Sequence, residues 1–128
     1  MLRVLVFGTF DGLHPGHLFF LGEAGKRGEL WVVIARDANV TLIKGRASVQ
    51  NERDRMRAVE EAFPAAHIVL GHPKDFLTPV REIAPDLIVL GYDQRLPPGV
   101  REEVFPCPVE RIAPFDPEKY KSSLLRKT

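Results

Sequence analysis

The sequence contains very little cysteine: among its 128 residues the only one is Cys107. A single thiol excludes any disulfide within the chain and is compatible with the reducing cytosol. Long apolar runs are also missing. The mostly apolar run Leu2 to Phe7 is far shorter than the ~20 residues of a membrane span, and it lacks the parts of a secretory signal. We therefore expect a soluble, cytoplasmic protein.

Charge of one sign is not in excess either. The chain has 18 Lys and Arg against 17 Asp and Glu, which gives a formal net charge of +1. Proteins that bind nucleic acids or anionic membranes usually carry an excess of basic residues. This chain has no such excess, so neither is an expected partner. The length and the 45% hydrophobic content fit a single globular domain over residues 1–128.

Short apolar runs that suit buried strands recur along the chain. They predict strands over 4–7, 30–35, 67–70, 87–90 and, more briefly, 109–112. Helical patterns lie between them. They predict helices over 15–25, 51–63, 75–83 and 122–127, whereas the polar stretch 37–50 is predicted as a loop.

This alternation predicts an α/β fold with a doubly wound, mostly parallel five-stranded sheet and helices on both faces. In such sheets ligands bind beyond the carboxyl ends of the strands, near a switch in strand order. The turns that follow the strands are therefore the places to search for a site.

The first of these turns reads Gly8-Thr9-Phe10-Asp11-Gly12-Leu13-His14-Pro15-Gly16-His17. Its glycines let the backbone approach a ligand, and the helix start that follows offers unpaired N–H groups to an anion. The three-residue spacing lets His14 and His17 face one ligand, with Gly16 leaving space for a phosphate or a nucleobase. Positioned donors can stabilise the charge that develops in nucleotidyl transfer by on the order of 3 kcal/mol each. Asp11 either contacts a metal or the acceptor or makes a turn hydrogen bond, and we favour the turn.

This run, with its His-x-Gly-His core, closely resembles the signature of the cytidylyltransferase-like nucleotidyltransferases, and the resemblance extends from Val4 to Arg126. It implies a Rossmann-like sheet and transfer of a nucleoside monophosphate from a nucleoside triphosphate to a phosphorylated acceptor, with release of pyrophosphate. It also implies Mg²⁺ or another divalent cation, with unknown protein ligands, and no covalent intermediate. By the same resemblance His14 and His17 stabilise the transition state, while Gly8, Thr9, Phe10 and Gly16 contact the nucleotide.

The predicted loop after the second strand carries two further candidates, and the helix that follows it carries a third. The resemblance implies that Lys44 reaches the triphosphate and the acceptor phosphate, and Gly45 marks a special backbone beside it. Arg46 and Arg55 are candidate phosphate or acceptor contacts. The alternative for each is an ordinary solvated or paired side chain.

The turn Gly91-Tyr92-Asp93-Gln94 follows the fourth strand. The resemblance places it beside the base and ribose, with Gly91 and Asp93 as nucleotide-binding residues. Asp93 can accept a hydrogen bond from a ribose hydroxyl or bind a metal. Tyr92 and Gln94 are candidate acceptor or phosphate contacts.

A second signature of the family, a Ser/Thr pair at the start of a late helix, resembles Lys121-Ser122-Ser123. Hydroxyls and N–H groups there can bind the β- and γ-phosphates, and Lys119 and Arg126 add positive charge. The chain departs from the family in one respect. The arginine expected shortly before the pair is missing, because Arg111 is too far upstream, so Lys119 or Lys121 substitutes for it.

Within the family, Ile34 to Asp37, Lys44 to Arg46 and Leu90 to Gln94 look most like archaeal-type FAD synthases, which adenylate FMN with ATP. The alternative is a CTP:glycerol-3-phosphate cytidylyltransferase, and heptose- and ethanolamine-phosphate acceptors stay open. A non-catalytic nucleotide or flavin binder is the alternative from another class. The family resemblance also implies a homodimer.

Overall fold

Five parallel strands form the centre of the molecule. The computed structural model describes residues 2–113. Within them the sheet has the order β3-β2-β1-β4-β5, and every adjacent pair is parallel. The strands are β1 (Arg3–Gly8), β2 (Glu29–Ile34), β3 (His67–Leu70), β4 (Leu87–Gly91) and β5 (Val109–Ile112). The predicted α/β fold is therefore confirmed, and all five strands lie within a residue or so of their predicted positions.

Among residues 2–113, four helices and one short 3₁₀ turn cover the sheet. They are α1 (Pro15–Gly25), α2 (Asp37–Lys44), α3 (Glu52–Ala62), α4 (Thr78–Ile83) and the 3₁₀ turn Glu102–Val104. Side chains of α1 and α3 pack into the core on one face of the sheet, and side chains of α4 pack into the core on the other face. No helix among residues 2–113 is long and apolar enough to cross a membrane.

The central strand β1 shows why both faces need a cover. Val4 and Val6 point into the core on the α1 side, whereas Leu5 and Phe7 point into the core on the α4 side. Successive side chains of a strand alternate between faces, so a continuous apolar run buries both of them. The apolar runs that identified the strands in the sequence thus also place β1 in the middle of the sheet.

The strand order places a switch point between β1 and β4. The chain moves outward from β1 to β2 and β3, then returns to the other side of β1 to form β4 and β5. The connections on the two sides of this point lead away from each other, which leaves a crevice at the carboxyl ends of the strands. The turns after β1 and β4 border that crevice.

The predicted loop over 37–50 is wrong in its first half, where the structure has α2. The helix has Asp37 in its first turn, Lys44 in its last turn and Gly45 in the left-handed region at its end, with φ 74°. These are ordinary start and stop signals. Among the described side chains of α2 only Val40 is buried, so the apolar periodicity that usually reveals a helix is weak.

The predicted helix over 75–83 begins three residues late, at Thr78. Asp75 instead shapes the turn that precedes it. Its carboxylate accepts hydrogen bonds from the Leu77 N–H at 3.0 Å and the Thr78 hydroxyl at 2.8 Å. Asp side chains favour such local bonds over a helix interior, which explains the displaced start.

The start of α3 agrees with its prediction and gives a test of the fold. Asn51 is the N-cap, and its side-chain oxygen accepts a hydrogen bond from the Asp54 N–H at 2.8 Å. We expect Asn51→Ala to lower the free energy of unfolding by about 1 kcal/mol, because the cap hydrogen bond is lost. Asn51→Asp keeps a side-chain acceptor and should retain most of the wild-type stability. Urea denaturation measures both. Equal midpoints for wild type and Asn51→Ala would show that the cap contributes nothing.

Candidate active site

The turn after β1 is shaped by Phe10, whose ring folds back over Gly8. Phe10 has a φ of 52° and is 4% exposed, and a Cβ atom at Gly8 would lie 2.4 Å from the ring. Gly8 is therefore needed so that Phe10 can enter the core. The expected nucleotide contact by the Phe10 side chain is corrected accordingly, because this side chain is buried in the core and anchors the turn.

His14 is the N-cap of α1. Its Nδ1 atom accepts hydrogen bonds from the backbone N–H groups of Gly16 at 3.1 Å and His17 at 3.4 Å. An Nδ1 atom that accepts cannot carry a proton, so the ring's proton lies on Nε2. The helix cap thus fixes the tautomer and leaves His14 with an outward N–H donor.

Gly16 leaves the room that this cap uses. A Cβ atom at Gly16 would lie 3.0 Å from Cε1 and 3.2 Å from Nδ1 of His14. The space above Gly16, expected to receive a phosphate or a nucleobase, is occupied by the imidazole of His14 itself. The spacing of the His-x-Gly-His core therefore has a local steric cause.

The two histidine rings lie against each other at the start of α1. The ring centroids of His14 and His17 are 3.6 Å apart with 22° between the planes, and Phe10 meets His17 edge-on at 5.4 Å. The structure thus brings the two predicted catalytic imidazoles into one cluster. Both stand where the first N–H groups of α1 provide partial positive charge.

His17 is neutral at physiological pH. Burial, the neighbouring His14 and the positive charge of Lys44 lower the pKa of His17 from its ordinary 6.5 to about 4. Among residues 2–113, its Nδ1 atom has no hydrogen-bond partner. A neutral ring with its proton on Nε2 leaves only an acceptor unpaired, and such a ring can donate a hydrogen bond from Nε2.

Lys44 reaches this site from the end of α2. Its side chain is exposed, and its charge is near enough to lower the pKa of His17. Arg46 is also exposed, and its charge contributes to the low pKa of Asp11 in the first turn. Lys44 therefore brings positive charge to the histidine cluster, and Arg46 brings positive charge to Asp11 in the same turn.

Asp11 ties the first turn to the segment between α2 and α3. Its two carboxylate oxygens accept hydrogen bonds from the backbone N–H groups of Val49 and Gln50, each at 2.8 Å. These two bonds lower the pKa of Asp11. The Gln50 side chain completes the tie by accepting from the Gly12 N–H at 2.8 Å. Sequence reasoning missed Gln50, because nothing local marks it.

Arg55 requires a correction. Its side chain is fully buried, and its guanidinium donates to the Thr9 carbonyl at 2.9 Å, the Gln50 carbonyl at 3.1 Å and the Asp37 carboxylate at 2.7 Å. Because these protein groups occupy the guanidinium and cover it, Arg55 does not reach a phosphate in the crevice. It positions the first turn instead.

The turn after β4 lies across the switch point. Tyr92 is 56% exposed and Asp93 is also exposed, so both side chains face solvent. Gln94 lies beneath them. Its amide accepts from the Gly91 N–H and donates to the Phe7 carbonyl, both at 3.0 Å. The expected contact of Gln94 with a substrate is therefore replaced by a contact with the ends of β1 and β4.

The candidates near the end of the chain lie outside the described residues. They are Lys119, Lys121, Ser122, Ser123 and Arg126, and their phosphate contacts stay predictions. Among residues 2–113, no three His, Cys, Asp or Glu side chains converge as metal ligands. The described residues therefore form no side-chain cage for an ion. A Mg²⁺ ion that arrives on the phosphates of a nucleotide, with waters as its remaining ligands, requires none.

A family model described as cytidylyltransferase-like matches residues 5–127. The chain belongs to the cytidylyltransferase-like family. It is accordingly a nucleotidyltransferase. The family match spans the histidine cluster, Lys44, the turn after β4 and the predicted second signature.

Curated relatives of this family member carry a more specific description. An FAD synthase of Halalkalicoccus jeotgali is 43% identical over 98% of this chain and 90% of its own length. An FAD synthase of Methanosarcina mazei is 46% identical over 80% of this chain and 68% of its own length. Among solved structures, a lipopolysaccharide core biosynthesis protein from Thermoplasma volcanium is 34% identical with a TM-score of 0.79, covering 91% of this chain and 99% of that one.

The glycine of the His-x-Gly-His core can be tested against a glycine in the same helix. We expect Gly16→Ala to push the His14 ring from its cap, lowering the free energy of unfolding by about 1 kcal/mol and abolishing most activity. Gly22→Ala is the matched control, because nothing lies within 4 Å of its added Cβ. It should raise stability by about 0.5–1 kcal/mol. Thermal unfolding measures the stability of both variants, and turnover measures their activity. Equal stability and equal activity of Gly16→Ala and Gly22→Ala would contradict the steric account.

The neutrality of His17 can be tested by titration. We expect the carbon-bound ring protons of His17 to titrate in NMR spectra with a midpoint of about 4. The unfolded chain binds this proton more tightly, at its ordinary pKa of 6.5. Stability therefore falls as pH falls from about 6.5 towards 4. His17→Gln assigns the resonance, and a midpoint above 6 would contradict the proposed environment.

Proposed function

We propose that this nucleotidyltransferase transfers AMP from ATP to FMN, forming FAD and pyrophosphate, with residues 1–128 acting as one domain. Nucleotidyl transfer rests on one observation, the stacked His14–His17 pair at the start of α1, in which burial first of all lowers the pKa of His17 to about 4. The choice of substrates is supported by the FAD synthase relatives, which are 43% and 46% identical.

The reaction is an in-line displacement at the α-phosphorus of ATP. A phosphate oxygen of FMN forms the new bond to this phosphorus, the bond to the oxygen that bridges the α- and β-phosphates breaks, and pyrophosphate leaves with that oxygen. A phosphate nucleophile is already ionised at neutral pH, so no general base is required. The protein's task is to align the two phosphates and to stabilise the charge that builds on the α-phosphate.

The histidine cluster supplies this stabilisation as hydrogen-bond donors. His14 and His17 donate from Nε2 to the oxygens of the α-phosphate. The N–H groups of Gly16 and His17, expected to be free for an anion, are instead bound to His14 Nδ1, so the helix start acts through the two imidazoles. Gly8, Thr9 and Gly16 provide the backbone of this cradle. Donors that are neutral in the resting enzyme do not hold the substrate's negative charge in advance, so their interaction strengthens as that charge develops.

The α2–α3 side of the crevice receives the acceptor. Lys44 and Arg46 carry the positive charge that the FMN phosphate requires. Val49 is 94% exposed on this side, and its backbone is fixed by Asp11. An exposed apolar side chain beside a phosphate site suits a flat ring system such as that of FMN, whereas glycerol phosphate has no apolar surface to cover it.

The turn after β4 and the second signature receive ATP. We assign Gly91, Tyr92 and Asp93 to the base and ribose. We assign Lys121, Ser122 and Ser123 to the β- and γ-phosphates, with Lys119 and Arg126 adding charge. Mg²⁺ enters with ATP as part of the substrate. A cytoplasmic location is proposed from the single thiol, and a homodimer from the family resemblance.

The substrate pair is tested by measuring pyrophosphate release in Mg²⁺ with ATP or CTP, each combined with FMN or glycerol 3-phosphate. We expect release with ATP and FMN only, together with an FAD product. Release with CTP and glycerol 3-phosphate only would replace FAD synthesis by CDP-glycerol synthesis. Binding of ATP and FMN without turnover in any pair would favour the non-catalytic binder.

The role of His17 is tested by replacing it. We expect His17→Ala to lower kcat about a hundredfold or more with a small change in KM, because a donor to the transition state is lost. His67→Ala is the control. His67 lies at the opposite, amino end of the strands, stacked on Trp31 at 4.1 Å. An unchanged kcat for His17→Ala, with an unchanged melting temperature, would refute the role.

A further inference from the structure

Arg111, on the edge strand β5, is bound to the turn after β4. Its Nη1 atom donates to the Gly91 carbonyl at 2.7 Å and the Gln94 carbonyl at 3.0 Å, with the Tyr92 carbonyl at 3.4 Å. Three carbonyls of one turn thus converge on one guanidinium nitrogen. The rest of the guanidinium is also occupied, because Nε and Nη2 each lie 2.9 Å from the Glu102 carboxylate.

This pairing determines what Arg111 can do. With Nε and Nη2 beside the Glu102 carboxylate and Nη1 turned to backbone carbonyls, the Arg111 guanidinium binds protein groups at each of its nitrogens. Arg rather than Lys suits the position, since a planar fork reaches a carboxylate and several carbonyls at once. Arg111 therefore holds the turn after β4 in place through its carbonyl groups.

Gln94 attaches the same turn to the other side of the switch point. The ladder between β1 and β4 covers only the pairs Val4–Leu87 and Leu5–Ile88. Beyond these pairs the strands are no longer paired with each other. There the Gln94 amide spans the gap, accepting from the Gly91 N–H and donating to the Phe7 carbonyl.

We propose that Arg111 and Gln94 are positioning residues for the nucleotide: together they hold Gly91, Tyr92 and Asp93 as the wall of the crevice against which ATP, rather than FMN, is bound. The inference rests on the proposed function, because it assigns the two substrates to the two sides of the histidine cluster. The α2–α3 side is held separately, by Asp11 and Arg55. Disturbing the β4 turn should therefore affect one substrate and spare the other.

The test compares two arginines that bind carboxylates on or beside β5. Arg111→Met frees the β4 turn. Arg27→Met removes the two hydrogen bonds, at 2.9 and 2.8 Å, between the Arg27 guanidinium and the Glu110 carboxylate. Glu110 is the neighbour of Arg111 in the chain, but this ion pair does not contact the β4 turn. We expect Arg111→Met to raise the KM for ATP about tenfold and to change the KM for FMN less than twofold, because a charge-assisted contact with the nucleotide's wall is lost. Arg27→Met should change neither.

Two further variants separate positioning from loss of folding. Arg111→Lys keeps the charge but cannot reach the carbonyls and Glu102 together, so it should resemble Arg111→Met. Gln94→Glu keeps the acceptor for the Gly91 N–H but removes the donor to the Phe7 carbonyl. It should therefore also weaken the binding of ATP. Equilibrium dialysis of ATP without FMN gives a second readout, and the melting temperature shows that each variant is folded.

The outcomes are distinct. A selective loss of ATP affinity in the Arg111 and Gln94 variants supports the inference. A rise in the KM for FMN alone, an equal rise for both substrates, or equal effects of Arg111→Met and Arg27→Met would overturn it. If wild-type protein fails to make FAD, the proposed function fails, whereas the dialysis comparison still decides whether Arg111 and Gln94 position the nucleotide.

Discussion

The candidate site depends on one buried guanidinium. Arg55 is fully enclosed and binds Thr9 in the first turn, Gln50 before α3 and Asp37 at the start of α2. A buried cation is tolerated only when its N–H groups and its charge are matched. Its matching groups come from three separate segments, so these segments must fold together or leave a charge unpaired. These contacts thereby fix the position of the histidine cluster relative to the helix that carries Lys44.

The same packing sets the electrostatics of the crevice. Lys44 and Arg46 stand beside the first turn, and the only acidic group within that turn, Asp11, is occupied by two backbone N–H groups. Asp11 stays ionised, because these two N–H groups lower its pKa, and its carboxylate faces Val49 and Gln50. Burial, His14 and the charge of Lys44 lower the pKa of His17. A neutral His17 and a nearby lysine therefore follow from one arrangement of packing and charge.

Much of the fold was predictable because its signals are local. Apolar runs identified all five strands, the Asn51 cap identified the start of α3, and the His-x-Gly-His spacing identified the cluster. The failures concern residues whose partners are distant in sequence. Arg55 resembles a solvated helix arginine until carbonyls from elsewhere surround it, and Gln94 resembles a ligand contact until β1 and β4 separate beneath it. The helix α2 has few buried side chains, so its periodicity is too weak to be seen.

The unpaired stretch between β1 and β4 has a consequence for how a base is distinguished. A gap between parallel strands would ordinarily expose free backbone groups, and an entering base could be read by the strand ends. Here the Gln94 amide already satisfies the Phe7 carbonyl and the Gly91 N–H. These two backbone groups are thus not free to bind a nucleobase edge, and under the proposed function we expect selectivity between adenine and cytosine to involve the exposed residues above them, Tyr92 and Asp93.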